Sequence, residues 1–238
     1  METFNYKQYI LNYPDLQEAG ICNLRQAWTH YRRFGLTEGR TDLCGINNVD
    51  IFYYINLDHR EDRFEHINNQ FKKYGLDPVK INKVSGILNL DKGIIGCTQS
   101  HCKVLEKFIE SGLNNCIIFE DDFTFTETPE VVNSKFNEFF KSGYFHDFDL
   151  VMLAGSTMTE YSLTDFLTRV HHSQTTSGYM VSKSFAPILL ENFRETDMLD
   201  VNWLKLQPVS KWYSFSPRLG LQMESYSDIT HKLENYRL

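Results

Sequence analysis

Disulfide and zinc chemistry find little to work with in this chain. Its five cysteines, Cys22, Cys44, Cys97, Cys102 and Cys116, are odd in number and include no C-x-x-C pair. That argues against both a disulfide framework and a structural zinc site. Long apolar runs are missing as well. Nothing approaches the roughly 20 consecutive apolar residues of a membrane span. The opening Met1-Glu2-Thr3-Phe4-Asn5-Tyr6-Lys7 lacks the apolar core of a secretory leader. An excess of positive charge is also absent: the formal net charge is −7, whereas a phosphate-backbone partner requires a basic face. A nucleotide held through a metal stays compatible with that charge. Three familiar signatures are missing too. No G-x-G-x-x-G follows the first strand-like segment, and there is no G-x-x-x-x-G-K-[ST] loop and no G-x-S-x-G elbow. Together these absences point to a soluble protein of a reducing compartment, the cytoplasm, with no nucleic-acid partner and no membrane span.

What is present is material for a core. Hydrophobic residues make up 42% of the 238 and aromatics 14%, which suits a globular fold and excludes disorder over most of the length. Residues 1–47 read as a small helical module. Tyr6, Tyr9, Ile10 and Tyr13 have helical spacing that Pro14 interrupts, and Leu24, Ala27, Trp28 and Tyr31 form a second stripe. The module is too short to carry a large core unaided, and its aromatics make it a candidate contact surface for a homo-oligomer.

Residues 48–238 alternate strand and helix signals. Ile51–Leu57 is the first strand, and Asp58 with Glu61 forms a D-x-x-E capping pattern for a helix whose buried stripe is Phe64, Ile67, Phe71 and Tyr74. A strand follows near Lys80–Val84, a helix from about Thr98 to Ser111, and the strand Cys116–Phe119. Val132, Phe136, Phe139 and Phe140 mark a further helix. Leu150–Ala154 and Tyr179–Val181 are further strands, and Phe185–Phe193 is a helix behind them. The expected class is α/β: a mainly parallel twisted sheet flanked by helices, plus the helical module.

The chemistry-bearing residues fall in separate clusters. Cys116-Ile117-Ile118-Phe119 runs straight into Glu120-Asp121-Asp122. Four apolar residues suit a strand buried on both faces, and the acids then fall at its carboxyl end, where open α/β sheets bind ligands. Three adjacent carboxylates repel one another. A divalent cation with oxygen ligands or full exposure to water would relieve them. If the segment stays extended, Glu120 and Asp122 face one site and Asp121 turns away. Asn56-Leu57-Asp58-His59-Arg60 with Arg63 sits where the first strand meets its helix, suiting a phosphate or a base edge. Gly96-Cys97-Thr98-Gln99-Ser100-His101 opens a helix with polar side chains in its first turn. Asp200 begins a short helix and can serve as a general base. Gln222 and Asp228 lie in a loop-like tail. Each cluster taken alone also has an ordinary structural reading, as a cap, a turn or a solvated face.

In their order, these clusters resemble glycosyltransferase family 25, which includes lipopolysaccharide glycosyltransferases and procollagen galactosyltransferases. The matching stretches are Tyr54–Arg60 with Asp62-Arg63, Ile95–His101, Ile118–Asp122, Ser177–Ser182, Asp200, and Gln222 with Ser227-Asp228-Ile229. The resemblance implies a GT-A-like fold, a nucleotide-sugar donor that is UDP-linked, a divalent metal, Mn2+, and inversion at the anomeric carbon. It implies Asp200 as the catalytic base. Asp122 is implied as first metal ligand, with Glu120 and Asp228 beside it. Asn56, Leu57, Arg60, Arg63, Gln99, Ser100, His101, Glu120, Asp121 and Gln222 would line the donor site. The acceptor would be a hydroxyl of a glycan or of a glycosylated or hydroxylated protein.

One departure is visible: Cys102-Lys103-Val104-Leu105 stands where the family often carries a tryptophan. The first 40 residues are similar to a helical module found on glycosyltransferases of giant viruses and some bacteria. The pairing implies viral or bacterial glycan assembly, in the host cytoplasm if viral. Two other readings compete. One is a non-catalytic carbohydrate- or protein-binding module on a decayed transferase fold. The other is a metal-dependent phosphohydrolase using the same acids.

Overall fold

The computed structural model describes residues 4–38, 40, 42, 45–223, 225–226 and 233–234. The chain opens with α1 (Tyr6–Asn12), α2 (Pro14–Glu18) and α3 (Leu24–His30), the last running into a wider π turn over Tyr31–Gly35. Asn5 and Asn23 cap α1 and α3 through their side chains. Tyr9, Leu16 and Ala27 are buried in a small core of their own, ringed by Phe4, Tyr6, Ile10, Tyr13, Ile21 and Tyr31.

The rest builds one large sheet with helices on both faces. In chain order the elements are β1 (Ile51–Asn56), α4 (Glu61–Lys73), β2 (Ile81–Ser85), α5 (Gly93–Ser111), β3 (Asn115–Glu120) and β4 (Phe123–Phe125). There follow α6 (Pro129–Lys141), β5 (Leu150–Met152), β6 (Ser156–Ser162), β7 (Leu167–Gln174), β8 (Gly178–Ser182), α7 (Ala186–Arg194), α8 (Leu199–Asn202), β9 (Trp212–Phe215) and β10 (Gly220–Gln222). Eight strands form the sheet in the order β2-β1-β3-β8-β5-β9-β7-β6.

The central strands are apolar at nearly every position because both their faces are covered. Phe52, Tyr54, Ile117 and Phe119 point to the layer made by α4 and α6, where they meet Ile67, Phe71, Val132, Phe136 and Phe139. Tyr53, Ile55, Cys116 and Ile118 point the other way, to Val104, Leu105 and Phe108 of α5 and Leu189 and Phe193 of α7. The α/β class is as expected, and the pairing is mixed. Strands β1, β2 and β3 pair in parallel, as do β5 and β9, while β8 runs antiparallel between β3 and β5 and the β6–β7 hairpin adds antiparallel strands at one edge. That hairpin and β9 are strands that sequence patterning did not mark. The burial of β6 shows why: most of its residues are exposed and polar, so no apolar alternation announces it.

Local signals fared unevenly. Gly75 and Gly112 end α4 and α5 at φ 62 and 70 as expected, a conformation that glycine adopts without a Cβ clash. The D-x-x-E cap of α4 does not form. Arg60 is the N-cap residue, and Asp58 instead accepts from Ser85 Oγ at 3.0 Å and pairs with Lys83 Nζ at 2.9 Å. Phe64 belongs outside the buried stripe, being 42% exposed, with the Lys83 ammonium 5.2 Å from its ring centre. Helix α5 starts one turn earlier than its polar motif, at Gly93, so Thr98 and Ser100 are not caps.

A second, two-stranded pairing bears directly on the acids. Strand β4 follows Asp122 immediately and pairs antiparallel with β10, placing Gln222 opposite Phe123. The Phe123 ring fills the space left by two glycines. A Cβ at Gly178 would stand 2.6 Å from that ring, and one at Gly220 would stand 2.3 Å from it. Gly178→Ala and Gly220→Ala should therefore each lose about 1–3 kcal/mol by overpacking. Gly143, where an added Cβ would meet nothing within 4 Å, should tolerate alanine with little change. Urea unfolding of the three variants tests this, and equal midpoints for all three would contradict it.

Candidate active site

The carboxyl ends of β1 and β3 lie side by side, since the two strands pair in parallel with Ile55 opposite Glu120. Asn56 ends β1 and is 1% exposed. Its Nδ2 donates to Asp121 Oδ2 at 2.8 Å and to the Arg60 carbonyl at 3.1 Å. One turn into α4, Arg63 reaches back over the strand ends. Its Nη1 is 3.0 Å from Asp121 Oδ1 and 3.0 Å from Asp122 Oδ2. Gln222 Nε2 donates to Asp122 Oδ2 at 3.2 Å, and the Met223 N–H donates to the Asp122 carbonyl at 2.8 Å.

Glu120 is held from the other side. His101 Nε2 lies 3.2 Å from Glu120 Oε1, and Thr176 Oγ1 donates to the same oxygen at 2.6 Å. His101 Nδ1 meets the Tyr179 hydroxyl at 3.0 Å. The three acids are therefore treated differently. Burial opposes ionisation of Glu120, but the hydrogen bonds from His101 and Thr176 outweigh it and hold its pKa below the ordinary value. Burial raises that of Asp121, opposed by Arg63 and Asn56. For Asp122, burial together with the charges of Glu120 and Asp121 overcomes Arg63 and pushes the pKa up to about 7.

Asp200 enters from α8. Burial and the charge of Glu120 raise its pKa, while backbone N–H groups of Thr175 and Val201 favour its ionised form. Thr175 has φ 77, a strained backbone for a β-branched residue, and such strain gathers at ligand sites. The loop between β7 and β8 serves the acids repeatedly: Thr175 holds Asp200, Thr176 holds Glu120, and the Ser177 carbonyl accepts the Glu120 N–H at 2.8 Å.

Of the residues singled out in the sequence, Asn56, Arg63, His101, Glu120, Asp121, Asp122 and Gln222 meet in this one network, and the charges of Asp200 and Glu120 act on each other. Asp121 does not turn away as an extended segment would require. Strand β3 stops at Glu120, and the following turn brings Asp121 and Asp122 to the same guanidinium nitrogen. The remaining residues have other partners. Arg60 pairs with Asp62 at 2.8 Å, and Leu57 lies half-buried near Gly86. Ser100 donates to the Gly96 carbonyl at 2.6 Å and accepts from the Ile87 N–H at 2.8 Å, while Gln99 is exposed. Asp228 lies outside the described residues. Thr175 and Thr176 escaped sequence reading because threonine near a strand carries no distinctive spacing, and Tyr179 reads as part of a strand and of a matching stretch without a role of its own.

The acids are neither solvated nor fully neutralised. Asp122 is 2% exposed, yet its Oδ1 is buried without a hydrogen-bond partner among the described residues. Asn56 Oδ1 and Ser177 Oγ share that condition. An unsatisfied buried carboxylate oxygen beside a second carboxylate fits a hard divalent cation, whose ligands are oxygens.

Comparison with known proteins gives these residues a context. The model of glycosyltransferase family 25 (LPS biosynthesis protein) matches residues 78–203, more than half of the chain. The match contains His101, Glu120–Asp122 and Asp200. A glycosyltransferase 25 family member of Aedes aegypti is 28% identical over 145 residues, 51% of this chain. That stretch covers 22% of the length of the relative. Among solved structures, a glycosyltransferase involved in the glycosylation of the major capsid of PBCV-1 is 8% identical with a TM-score of 0.46, covering 76% of this chain and 96% of its own. A protein from STIV is 12% identical with a TM-score of 0.42, covering 79% and 98%.

The electrostatics predict opposite effects for two substitutions. An aspartate whose pKa rises on folding destabilises the native state. The penalty is absent below about pH 4, grows as pH rises toward 7, and is complete above it. Asp122→Asn should thus raise the melting temperature of the metal-free protein by several degrees at pH 8, and by less at pH 5. Arg63→Gln should cost about 3–5 kcal/mol by leaving buried carboxylates without their counter-charge. Thermal and urea unfolding at both pH values measure these changes. A pH-independent or destabilising Asp122→Asn would overturn the assignment of a strained, ionised Asp122.

Proposed function

The chain belongs to glycosyltransferase family 25, and on that premise we propose that it moves a hexose from a UDP-linked donor to a hydroxyl acceptor. The acceptor is a glycan or a glycosylated or hydroxylated protein, and the anomeric carbon is inverted. Residues 48–238 carry the transfer and residues 1–47 form an accessory module. The observation that carries this reading is a pair of unlike carboxylates, Asp122 and Asp200, each acted on by the charge of Glu120 at the end of β3. Asp122 has a buried oxygen with no hydrogen-bond partner among the described residues, and Asp200 has its pKa raised by burial and by Glu120 while backbone N–H groups favour its ionised form.

Asp122, with Glu120 beside it and Asp228 from the chain's tail, would hold a divalent cation, Mn2+. Such a cation, when bound, stabilises the charge that develops on the departing nucleoside diphosphate. Arg63 supports the same charge balance by keeping Asp121 and Asp122 together through their shared guanidinium contact. Asn56 fixes Asp121 and the first turn after β1, and Gln222 fixes the bearing of Asp122.

Inversion by a single displacement needs a base on the face opposite the leaving group. Asp200 suits that role. Burial and the charge of Glu120 raise its pKa, which makes it a better proton acceptor than a solvated aspartate, while backbone hydrogen bonds favour its ionised form. As the acceptor oxygen attacks, its proton passes to the Asp200 carboxylate. Among the described residues no helix is long and apolar enough to cross a membrane. A cytoplasmic setting is part of the same proposal.

A screen of UDP-hexoses with Mn2+ or with chelator, following UDP release and acceptor mass, tests the reading. Release is expected with at least one donor and is lost on chelation. Asp200→Asn should lower kcat by about 10²–10⁴-fold while donor binding persists. Wild-type kcat should fall on acidification at a pH above the ordinary aspartate range, because the base must be ionised. Absence of nucleotide binding and turnover with every donor would refute the proposal.

A further inference from the structure

Cys97 and His101 stand one turn apart on α5, so their side chains leave the helix on one face. Both approach Glu120 at the end of β3. The Cys97 Sγ, a His101 ring nitrogen and a Glu120 carboxylate oxygen all lie within 4.8 Å of one another. The His101 ring is fully buried and stacked on Tyr179, with centroids 5.7 Å apart and planes at 19°. We propose that Cys97, His101 and Glu120 form a site for a thiophilic divalent cation of the zinc class, different in donor set from the oxygen site at Asp122 and sharing Glu120 with it. This site stands on its own geometry, whether or not the protein transfers a sugar.

The donor set selects the ion. Sulfur, imidazole nitrogen and one carboxylate oxygen suit zinc, cobalt or cadmium, whereas manganese and magnesium favour oxygen alone. Zinc bonds of about 2.0–2.3 Å place tetrahedral ligand atoms about 3.3–3.8 Å apart. The His101–Glu120 separation is already 3.2 Å, so small side-chain rotations close the set. Three protein ligands leave a fourth position for water.

The surroundings of His101 are those of a ligand. Without a cation, the Tyr179 hydroxyl donates to Nδ1 and the Nε2–H donates to Glu120. With a cation on Nε2, the ring proton sits on Nδ1 and donates to the Tyr179 oxygen. A hydroxyl serves in either direction by rotating, so the contact at 3.0 Å survives the change. The Cys97 thiol releases its proton to solvent as its sulfur bonds the cation. The Glu120 side chain is 18% exposed, which leaves a path for entry from its side. Occupancy engages Glu120, so a zinc-class ion competes with any use of that carboxylate by the neighbouring acids.

The spacing that could have revealed this site in the sequence is C-x-x-x-H on a helix, not C-x-x-C. Titrating the full metal-free chain with Co2+, without nucleotide, tests it. Thiolate–cobalt complexes absorb in the near ultraviolet. One equivalent should develop that band, Zn2+ should displace it, and Asp122→Asn should keep it. Cys97→Ser, close in shape to the wild type, should abolish it, and Glu120→Gln should weaken cobalt binding at least tenfold. Zn2+ should also raise the melting temperature of the wild type and leave that of Cys97→Ser unchanged. No thiolate band, or a band that survives Cys97→Ser by way of the exposed Cys22, overturns the proposal. Because cobalt absorption needs no sugar transfer, its failure is distinguishable from failure of the transferase reading.

Discussion

The Arg63 guanidinium stands 3.0 Å from Asp121 Oδ1 and 3.0 Å from Asp122 Oδ2, and the acidic edge of the sheet depends on that contact. Burying an ion without compensation costs several kcal/mol, and three consecutive carboxylates multiply the difficulty. The arginine arrives because α4 begins just after β1 ends, and β1 lies beside β3. Parallel pairing of two adjacent strands thus brings a cation from one connection to the acids of the other. His101 performs the matching task for Glu120 from α5 on the opposite face of the sheet. The network still falls short of full compensation, and the shortfall is concentrated in Asp122, whose Oδ1 has no hydrogen-bond partner among the described residues. A purely structural acid cluster has no reason to leave one oxygen unsatisfied, whereas a ligand site does.

Much of this edge was legible in the sequence. The run Cys116–Phe119 reads as a short strand covered on both faces, and acids at its carboxyl end followed from chain order. The stripe of Ile67 and Phe71 on α4, with Tyr74 just past its end, was equally readable. What stayed illegible was set by partners distant in sequence. Asp58 has every local feature of a helix cap, yet Lys83 and Ser85 on β2 claim its oxygens. Phe64 has core spacing, but the helix turns it toward Lys83. The β6–β7 hairpin has little apolar pattern to read because β6 is an exposed edge strand. Alternation along the acids failed at Asp121 because the strand ends at Glu120, two residues earlier than an extended reading assumes.

Packing behind the acids matters as much as charge in front of them. Phe123 follows Asp122 directly and fills space bounded by Gly178 on β8 and Gly220 on β10. A ring confined on both sides fixes the backbone one residue away, where the Asp122 carbonyl also accepts from Met223. Residues Asp122 and Gln222 are brought together by the same β4–β10 pairing. The bearing of one carboxylate therefore rests on an aromatic side chain and two missing Cβ atoms, none of which carries chemistry.

The β7–β8 loop shows how strain serves the other carboxylates. Thr175 holds φ 77, a conformation that opposes its own Cβ branching and costs on the order of 1–3 kcal/mol. The bend turns its N–H toward Asp200 and leaves the next two residues facing Glu120, one through a hydroxyl at 2.6 Å and one through a carbonyl at 2.8 Å. A relaxed loop at the same position would have no reason to supply both acids from three consecutive residues. The local penalty is offset by hydrogen bonds to charged groups, which are worth roughly 1.5–3 kcal/mol each. Strain in the loop and ionisation of the two carboxylates are thus one linked arrangement. The elements at its ends, β8 and α8, are each packed into the same core beneath the sheet.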